Sequence, residues 1–204
     1  IIHTNEAQRT TSPWINVLAN PNFGTLVSES GMSYSWVLNA HELRLTPWNN
    51  DPVSDLNGEA FYIRDEESGR FWSPTGLPAT GNGKYTTKHG FGYSIFEFFV
   101  DGIASTLTMF VDEEEPIKYI LIKLKNNSGR ARKFSLTGYI EWVLGVDKSK
   151  SQMHTTTEFD TTNKALLARN NFIPEFQNRV AFFAADEKEF TYTSDRTEFL
   201  GRNG

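Results

Sequence analysis

Cysteine is absent from the 204 residues of this chain. A disulfide framework, a thiolate nucleophile and a cysteine-ligated zinc site are therefore all excluded. No apolar run approaches the roughly 18 residues that a membrane-spanning helix requires. The chain has 20 basic residues against 25 acidic ones, a formal net charge of −5, and no basic patch stands out. This charge pattern argues against a nucleic-acid partner.

Helical periodicity and the common catalytic motifs are also missing. No stretch of ten or more residues keeps a 3.6-residue hydrophobic period, so we expect no long helix. The sequence has no G-x-S-x-G, no P-loop and no dinucleotide fingerprint. The four histidines, His3, His41, His89 and His154, have no partner at i, i+2 or i, i+4. We predict no cofactor and no metal ion, although strands can still bring distant ligands together.

The sequence is rich in aromatic residues and in short segments that alternate apolar and polar side chains. Aromatic residues make up 14% of the chain, and 16 of them are Phe. Asp101-Gly102 between residues 93–100 and 103–111 predicts a hairpin with a type I′ turn. A second hairpin is predicted from residues 59–64 and 70–73. Further short strands are predicted at residues 25–30, 34–38, 153–159, 165–169 and 179–185.

Residues 117–124 and 133–144 are predicted to pair with each other across the turn-forming residues 126–129. The alternation of the second segment places Phe134, Leu136, Ile140, Trp142 and Leu144 inward and Lys133, Ser135, Thr137 and Glu141 outward. About ten short strands with turn signals every 8–12 residues are typical of a sandwich or barrel. We therefore predict an all-β fold, a single antiparallel β-sandwich domain over residues 1–204.

One stretch, residues 39–75, contains a part that is too polar and turn-rich for ordinary core. Residues 46–52 (TPWNNDP) hold two prolines, two amides, a carboxylate and an indole. Each proline fixes φ and removes a donor, so this segment continues neither a helix nor a central strand. Long ordered loops usually serve binding. We call residues 39–52 the candidate loop.

The composition of the candidate loop is typical of a sugar-binding site. The C–H faces of a sugar stack on aromatic rings, and its hydroxyl groups form hydrogen bonds with planar polar side chains. The predicted carbohydrate-binding residues are Arg44, Trp48, Asn49, Asn50 and Asp51. Structural alternatives stay open: an Asx-turn for Asp51, and an ion pair with Glu42 for Arg44. Trp48 is predicted to be exposed because its neighbours are Pro and Asn. The other strand-borne tryptophans are predicted to be core: Trp36, Trp72 and Trp142.

Several motifs in order along the chain resemble one known family. They are PWINVLANPNFG at residues 13–24, VSESG at 27–31, NAHELRLTPWNNDP at 39–52, FYIRD at 61–65, WSP at 72–74, HGFGY at 89–93, EWVLG at 141–145 and FLGRNG at 199–204. Together they resemble the N-terminal β-domain of glycoside hydrolase family 94, formerly glycosyltransferase family 36. The resemblance is nearest to the C-terminal part of cyclic β-1,2-glucan synthases, and cellobiose and chitobiose phosphorylases are more distant.

The resemblance implies a large antiparallel β-supersandwich that is similar to the galactose-mutarotase fold. The chain is expected to hold this sandwich in complete or truncated form. It also implies a helical linker and an (α/α)6 catalytic barrel that lie outside this chain, which we expect to be a fragment of a longer enzyme. Catalysis in the family uses an aspartate general acid in that barrel, so the fragment is expected to be inactive alone. The implied partners are a β-gluco-oligosaccharide, the barrel and a second subunit of a homodimer. The implied location is cytoplasmic, with the parent enzyme in the inner membrane.

Three functions follow as hypotheses. The first is a non-catalytic carbohydrate-binding and assembly domain of a β-glucan synthase or glycoside phosphorylase. The second is a free-standing mutarotase-like enzyme, which needs a His and a Glu in one cleft; His89 with Glu97 or Glu141 is the combination that the sequence offers. The third is a purely structural dimerisation module.

Overall fold

The computed structural model describes residues 1–5, 10–51, 53 and 58–202. These residues form fourteen strands: β1 (Ile2–Thr4), β2 (Ile15–Ala19), β3 (Phe23–Ser28), β4 (Ser33–Val37), β5 (Glu59–Asp65), β6 (Phe71–Trp72), β7 (Tyr85–Gly90), β8 (Tyr93–Val100), β9 (Ile103–Val111), β10 (Lys118–Asn126), β11 (Phe134–Ile140), β12 (Thr155–Asp160), β13 (Ala165–Asn170) and β14 (Ala181–Ala184). The helical segments in the described part are short: α1 (Lys148–Ser151), α2 (Arg196–Leu200) and a 3₁₀ turn at Pro174–Phe176. The all-β prediction is confirmed. Within the described residues, no helix is both long and apolar enough to cross a membrane.

The strands form four antiparallel sheets. The largest has the order β1-β7-β8-β9-β10, and the smaller ones have the orders β2-β3-β4, β11-β5-β6 and β12-β13-β14. Both predicted hairpins are confirmed, since β8 pairs with β9 and β5 pairs with β6. Asp101 and Gly102 have φ of 49° and 78°, as a type I′ turn requires.

The predicted pairing of residues 117–124 with 133–144 is wrong. β10 pairs with β9 over nine residues, and β11 pairs with β5 in another sheet. Side-chain alternation shows which faces a strand has but not which strand lies beside it, so the pattern could not reveal this crossover. The predicted inward face is also only partly buried: Leu136 is 51% exposed.

Two apolar clusters join the large sheet to the smaller ones. One packs the ends of β7, β8 and β9 against β5 and β6, with these buried members: Ile63, Trp72, Tyr85, Phe98, Val100 and Ile103. The other packs β8 and β9 against β2 and β3: Leu18, Val27, Phe96, Leu107 and Met109. Trp72 is a core residue as predicted. Trp36 and Trp142 are partly buried against other clusters, so they too are packing residues.

Candidate functional site

The candidate loop leaves the end of β4 through a tight polar turn. Asn39 Oδ1 accepts hydrogen bonds from the backbone N–H groups of His41 (2.8 Å) and Glu42 (3.0 Å). The N–H of Leu43 closes the turn on the carbonyl of Asn39 at 3.0 Å. An Asn side chain that bonds the backbone two and three residues ahead is a common way to hold such a turn. The first part of the loop is therefore built locally.

Arg44 is held in place by backbone groups on both sides. It forms isolated β-bridges with Trp36 and with Gly145. Its guanidinium donates to the carbonyls of Val146 (Nη1, 3.1 Å) and Ala40 (Nε, 3.3 Å). The alternative ion pair with Glu42 is not what the structure shows, because that carboxylate bonds His41 Nδ1 at 2.7 Å. Arg44 thus joins the candidate loop to the segment that follows β11.

A buried polar network lies beneath the middle of the loop. Thr46 Oγ1 accepts from the N–H of Ser35 (2.9 Å) and donates to Glu59 Oε1 (3.0 Å). Glu59 also accepts hydrogen bonds from Ser33 Oγ (3.0 Å) and Ser35 Oγ (2.7 Å) and forms a salt bridge with Lys118. The network fixes the loop to β4, β5 and β10 at once.

Glu59 is ionised in this network. Burial by itself raises the pKa of a carboxyl group, but here the Lys118 ammonium and the hydroxyl donors outweigh burial and hold the pKa of Glu59 below its usual value. The side chains of Glu59 and Lys118 are only 4% and 9% exposed. A charge pair this deeply buried cannot contact a ligand, so its role is to support the loop.

Trp48 is half-buried, which corrects the prediction that it is exposed. Its ring lies 5.0 Å from that of Tyr34, at an interplanar angle of 41°, and Tyr34 is a further 5.0 Å from Trp36. Trp48 packs against a small cluster with Leu26 and Met32. The neighbouring Pro47 and Asn residues made the segment look solvated, yet the indole is its anchor. Trp48 therefore fixes the loop as well as offering an exposed edge.

The end of the loop presents polar groups to solvent. Asn49 and Asn50 are exposed, and Asn50 adopts a left-handed φ of 44°. Asp51 Oδ1 accepts a hydrogen bond from the N–H of Val53 at 2.9 Å, which is the Asx-turn given above as the structural alternative. Pro52 lies outside the described residues. The exposed amides follow directly after the anchored indole, and they are the groups able to reach a ligand.

Tyr34 is a site residue that the sequence did not reveal. It contacts Trp36 and Trp48 through its ring, and its hydroxyl donates to the carbonyl of Ala40 at 3.0 Å. Burial raises the pKa of Tyr34, and the positive charge of Arg44 partly opposes this. Tyr34 therefore touches both ends of the candidate loop. In the sequence it is one aromatic residue in an ordinary strand, so no local signal marks it.

The His–Glu pair required by the mutarotase hypothesis does not form. His89 lies opposite Ser94 in the sheet and bonds its Oγ at 2.9 Å, and burial lowers the pKa of this imidazole. Glu97 points to the other face of the large sheet, where it pairs with Lys88 at 2.7 Å. Glu141 follows β11 and pairs with basic residues of α1 and α2. These groups cannot act together on one sugar.

A cavity of about 70 Å³ lies near the end of the candidate loop, since Val53, whose N–H bonds Asp51, is one of its lining residues. Glu29 and Thr10, which hydrogen-bond each other, are among its lining residues. The volume is well below the roughly 300 Å³ at which ligand pockets begin, so it suits water molecules. Within the described residues, no group of three or more His, Asp or Glu side chains is arranged to hold a metal ion.

Comparisons with known proteins agree with the motifs. The family model described as the glycosyl hydrolase 94 supersandwich domain matches residues 1–204. The chain is 38% identical over 198 residues to the cyclic beta-(1,2)-glucan synthase NdvB of Rhizobium meliloti (strain 1021), covering 97% of this chain. It is 32% identical over 201 residues to the N,N'-diacetylchitobiose phosphorylase of Vibrio furnissii, covering 93% of the chain. It is 30% identical over 148 residues to the solabiose phosphorylase of Paenibacillus borealis, covering 71%.

The matched regions are small parts of these relatives. They amount to 7% of the glucan synthase, 25% of the chitobiose phosphorylase and 19% of the solabiose phosphorylase. Most of each relative therefore has no counterpart in the chain described above.

Proposed function

Since the chain belongs to glycoside hydrolase family 94, as its supersandwich domain, we propose that it is a non-catalytic carbohydrate-binding and assembly domain of a β-glucan synthase or glycoside phosphorylase. One observation carries the proposal. The candidate loop is polar and solvent-facing at its end, yet it is anchored from below by Trp48 and by the buried contacts of Thr46. Preorganised polar groups beside an aromatic ring suit the recognition of sugar hydroxyls and C–H faces.

In this proposal each loop residue has its own part. The amides of Asn49 and Asn50 each offer a donor pair and an acceptor, which matches vicinal hydroxyl groups. The exposed edge of Trp48 supplies apolar contact area. Asp51 shapes the end of the loop through its bond to Val53. Arg44 joins the loop to the segment after β11, so it holds one end of the site in position.

The proposed partners are those of a larger enzyme. The relatives are named as a cyclic beta-(1,2)-glucan synthase, an N,N'-diacetylchitobiose phosphorylase and a solabiose phosphorylase, and the chain spans at most a quarter of the length of each. We propose that catalysis takes place in an (α/α)6 barrel elsewhere in the full-length protein, within a homodimer. A β-gluco-oligosaccharide would then contact this domain and the barrel together. Location on the cytoplasmic side of the inner membrane stays a prediction.

Titration of the isotope-labelled domain with β-1,2- and β-1,4-linked gluco-oligosaccharides and chitobiose, followed by NMR, tests the proposal. We expect weak binding, with backbone shifts at residues 44–51. Asn49→Ala and Asn50→Gly should each weaken binding roughly threefold to tenfold, the loss of about one hydrogen bond. Glycine is chosen at position 50 because it keeps the left-handed backbone while removing the amide. Asn127→Ala, at an exposed asparagine in the turn after β10, serves as the matched control.

Absence of any shift at millimolar sugar would overturn carbohydrate binding by this domain. The domain would then be a purely structural interface. Shifts located only outside the candidate loop would refute the assignment of its residues while leaving sugar binding intact.

A further inference from the structure

We propose that the stacked rings of His154 and Phe172 form a second saccharide-binding subsite, which extends the site of the candidate loop past Arg44. This inference rests on the proposed function, because it concerns the same class of ligand. It adds a surface that lies more than a hundred residues from the loop in sequence. Neither ring belongs to any motif described above.

The rings of His154 and Phe172 are stacked although both residues are exposed. The centroids of His154 and Phe172 are 3.9 Å apart and the rings are inclined by only 13°. Phe172 is nevertheless 68% exposed, and the adjacent Met153 is 85% exposed. The imidazole therefore covers one face of the Phe172 ring and leaves the other face to solvent. A flat, exposed aromatic face with a fixed orientation is what a pyranose ring needs for stacking.

Buried residues bind the backbone of both His154 and Phe172. The N–H of His154 donates to the carbonyl of Ser151 at 2.9 Å, and Ser151 is fully buried. The N–H of Phe172 donates to Oδ1 of Asn170 at 3.2 Å. Asn170 is also fully buried, and its amide donates to the carbonyl of Leu144 at 3.2 Å. The backbone that carries each ring is thus fixed to the protein interior, so ordering this backbone adds little entropy cost when a sugar binds.

The segment of residues 144–147, which we call the Gly145 junction, connects the ring pair to Arg44. The N–H of Gly145 donates to the carbonyl of Arg44 at 3.0 Å. On its other side, a Cβ at Gly145 would lie 2.7 Å from Cδ1 of Ile173, the residue after Phe172. From the lengths of these few links, the Cα atoms of Arg44 and Phe172 are at most about 20 Å apart. An oligosaccharide of two or three units spans such a distance.

The junction also carries one charged side chain, Asp147. Asp147 is exposed and accepts a hydrogen bond from the N–H of Ser149 at 2.9 Å. That bond, together with the nearby positive charges of Lys150 and Arg44, holds the pKa of Asp147 below its usual value. An ionised carboxylate keeps further acceptor sites for sugar hydroxyls. The surface therefore combines an aromatic face, a guanidinium group and a carboxylate.

The alternative is that the rings pack together only to shield each other from water. Shielding would bury both rings, whereas here the larger ring stays mostly exposed. The two accounts also differ in what substitution should do. A shielding pair contributes to stability and leaves sugar affinity unchanged, while a subsite does the reverse.

The test compares the binding of β-1,2-linked glucotriose, cellotriose and chitobiose to variants of the 204-residue domain by NMR titration. Phe172→Ala should raise the Kd for at least one of these sugars by roughly threefold to tenfold, which is the range of an aromatic contact. Phe172→Trp should keep or improve the affinity, and its indole fluorescence should respond to sugar. Phe91→Ala, which removes a fully exposed Phe at the β7–β8 turn, is the matched control and should leave Kd unchanged. Thermal melting checks that each variant is folded.

The outcomes separate the two proposals. If sugar causes NMR shifts at the candidate loop but Phe172→Ala leaves the Kd unchanged, the second subsite is refuted and the proposed function stands. If the indole fluorescence of Phe172→Trp does not change with a sugar that binds the domain, the subsite is also refuted. This result can be obtained even if Phe172→Ala fails to fold. No binding of any sugar would overturn both. Loss of affinity in Phe172→Ala, with the fluorescence response in Phe172→Trp, would establish the subsite.

Discussion

Removal of the Lys118 ammonium should be among the most damaging single changes in this domain. Lys118→Met keeps the aliphatic stem but leaves the Glu59 carboxylate buried without its countercharge. Breaking a buried ion pair in this way typically costs about 3–5 kcal/mol, against a total stability of about 5–15 kcal/mol for a domain. The remaining hydroxyl donors offset part of the loss, so we expect the lower half of that range. The free energy of unfolding is measured by urea denaturation at pH 7.

Two additional variants test whether the loss of stability comes from the unpaired buried charge. Glu59→Gln combined with Lys118→Met removes both charges, and it should be more stable than Lys118→Met alone because no uncompensated charge stays buried. Lys123→Met, at an exposed position of the same strand, should change stability by less than about 0.5 kcal/mol. With Glu59→Gln alone as the fourth species, the double-mutant cycle gives the coupling energy of the pair.

The pH dependence has a definite sign. Because the pKa of Glu59 is lowered in the folded protein, its contribution to stability is present above the unfolded pKa and is lost as pH falls through the folded pKa. Lys118→Met should abolish that contribution. A loss below about 1 kcal/mol in Lys118→Met, the value of a surface pair, would refute the view that the network is buried and holds the loop.

Two further predictions concern stability, one at Asp65 and one at Gly24, which contacts the site through Trp36. The pKa of Asp65 is lowered to about 2, first by the N–H of Glu67 and also by a neighbouring hydroxyl and the guanidinium of Arg132. The free energy of unfolding, measured by urea denaturation between pH 5 and pH 2, should therefore fall as the pH drops towards 2. Asp65→Asn should be less stable at neutral pH and depend less on pH, whereas parallel pH profiles of the two proteins would contradict this. Gly24→Ala should destabilise the domain by about 1–3 kcal/mol, because a Cβ there would collide with the Trp36 indole, and an unchanged melting temperature would show that the indole can move aside.

Local signals in the sequence were reliable where one hairpin or one turn decided the structure. Asp101-Gly102 specified both the turn and the pairing of its flanking strands. Residues 39–51 of the candidate loop form no helix or strand, as predicted, because prolines and amides exclude regular elements whatever surrounds them. The partner of β11 was not found, because pairing in another sheet depends on where the whole chain turns after residue 126.

Assignments that depend on neighbours distant in sequence needed the tertiary structure. Trp48 is flanked by Pro and Asn, so the sequence predicts that it is exposed, but Tyr34 from β4 packs against its ring. Arg44 donates to the carbonyl of Val146, which is far away in the sequence, and only the tertiary structure shows this partner. Phe172 and His154 lie 18 positions apart in segments without a motif, so nothing in the sequence indicated that their rings stack.

The sequence by itself determined the fold class, the family and the position of the polar loop, because alternation, turn dipeptides and ordered motifs are local properties of the chain. The tertiary structure decided which strands lie together, that an indole anchors the loop, and that a buried Glu59–Lys118 pair supports it. The physical reason is the same in each case. Burial and pairing are set by groups that approach through space, and a linear pattern does not specify which groups those are.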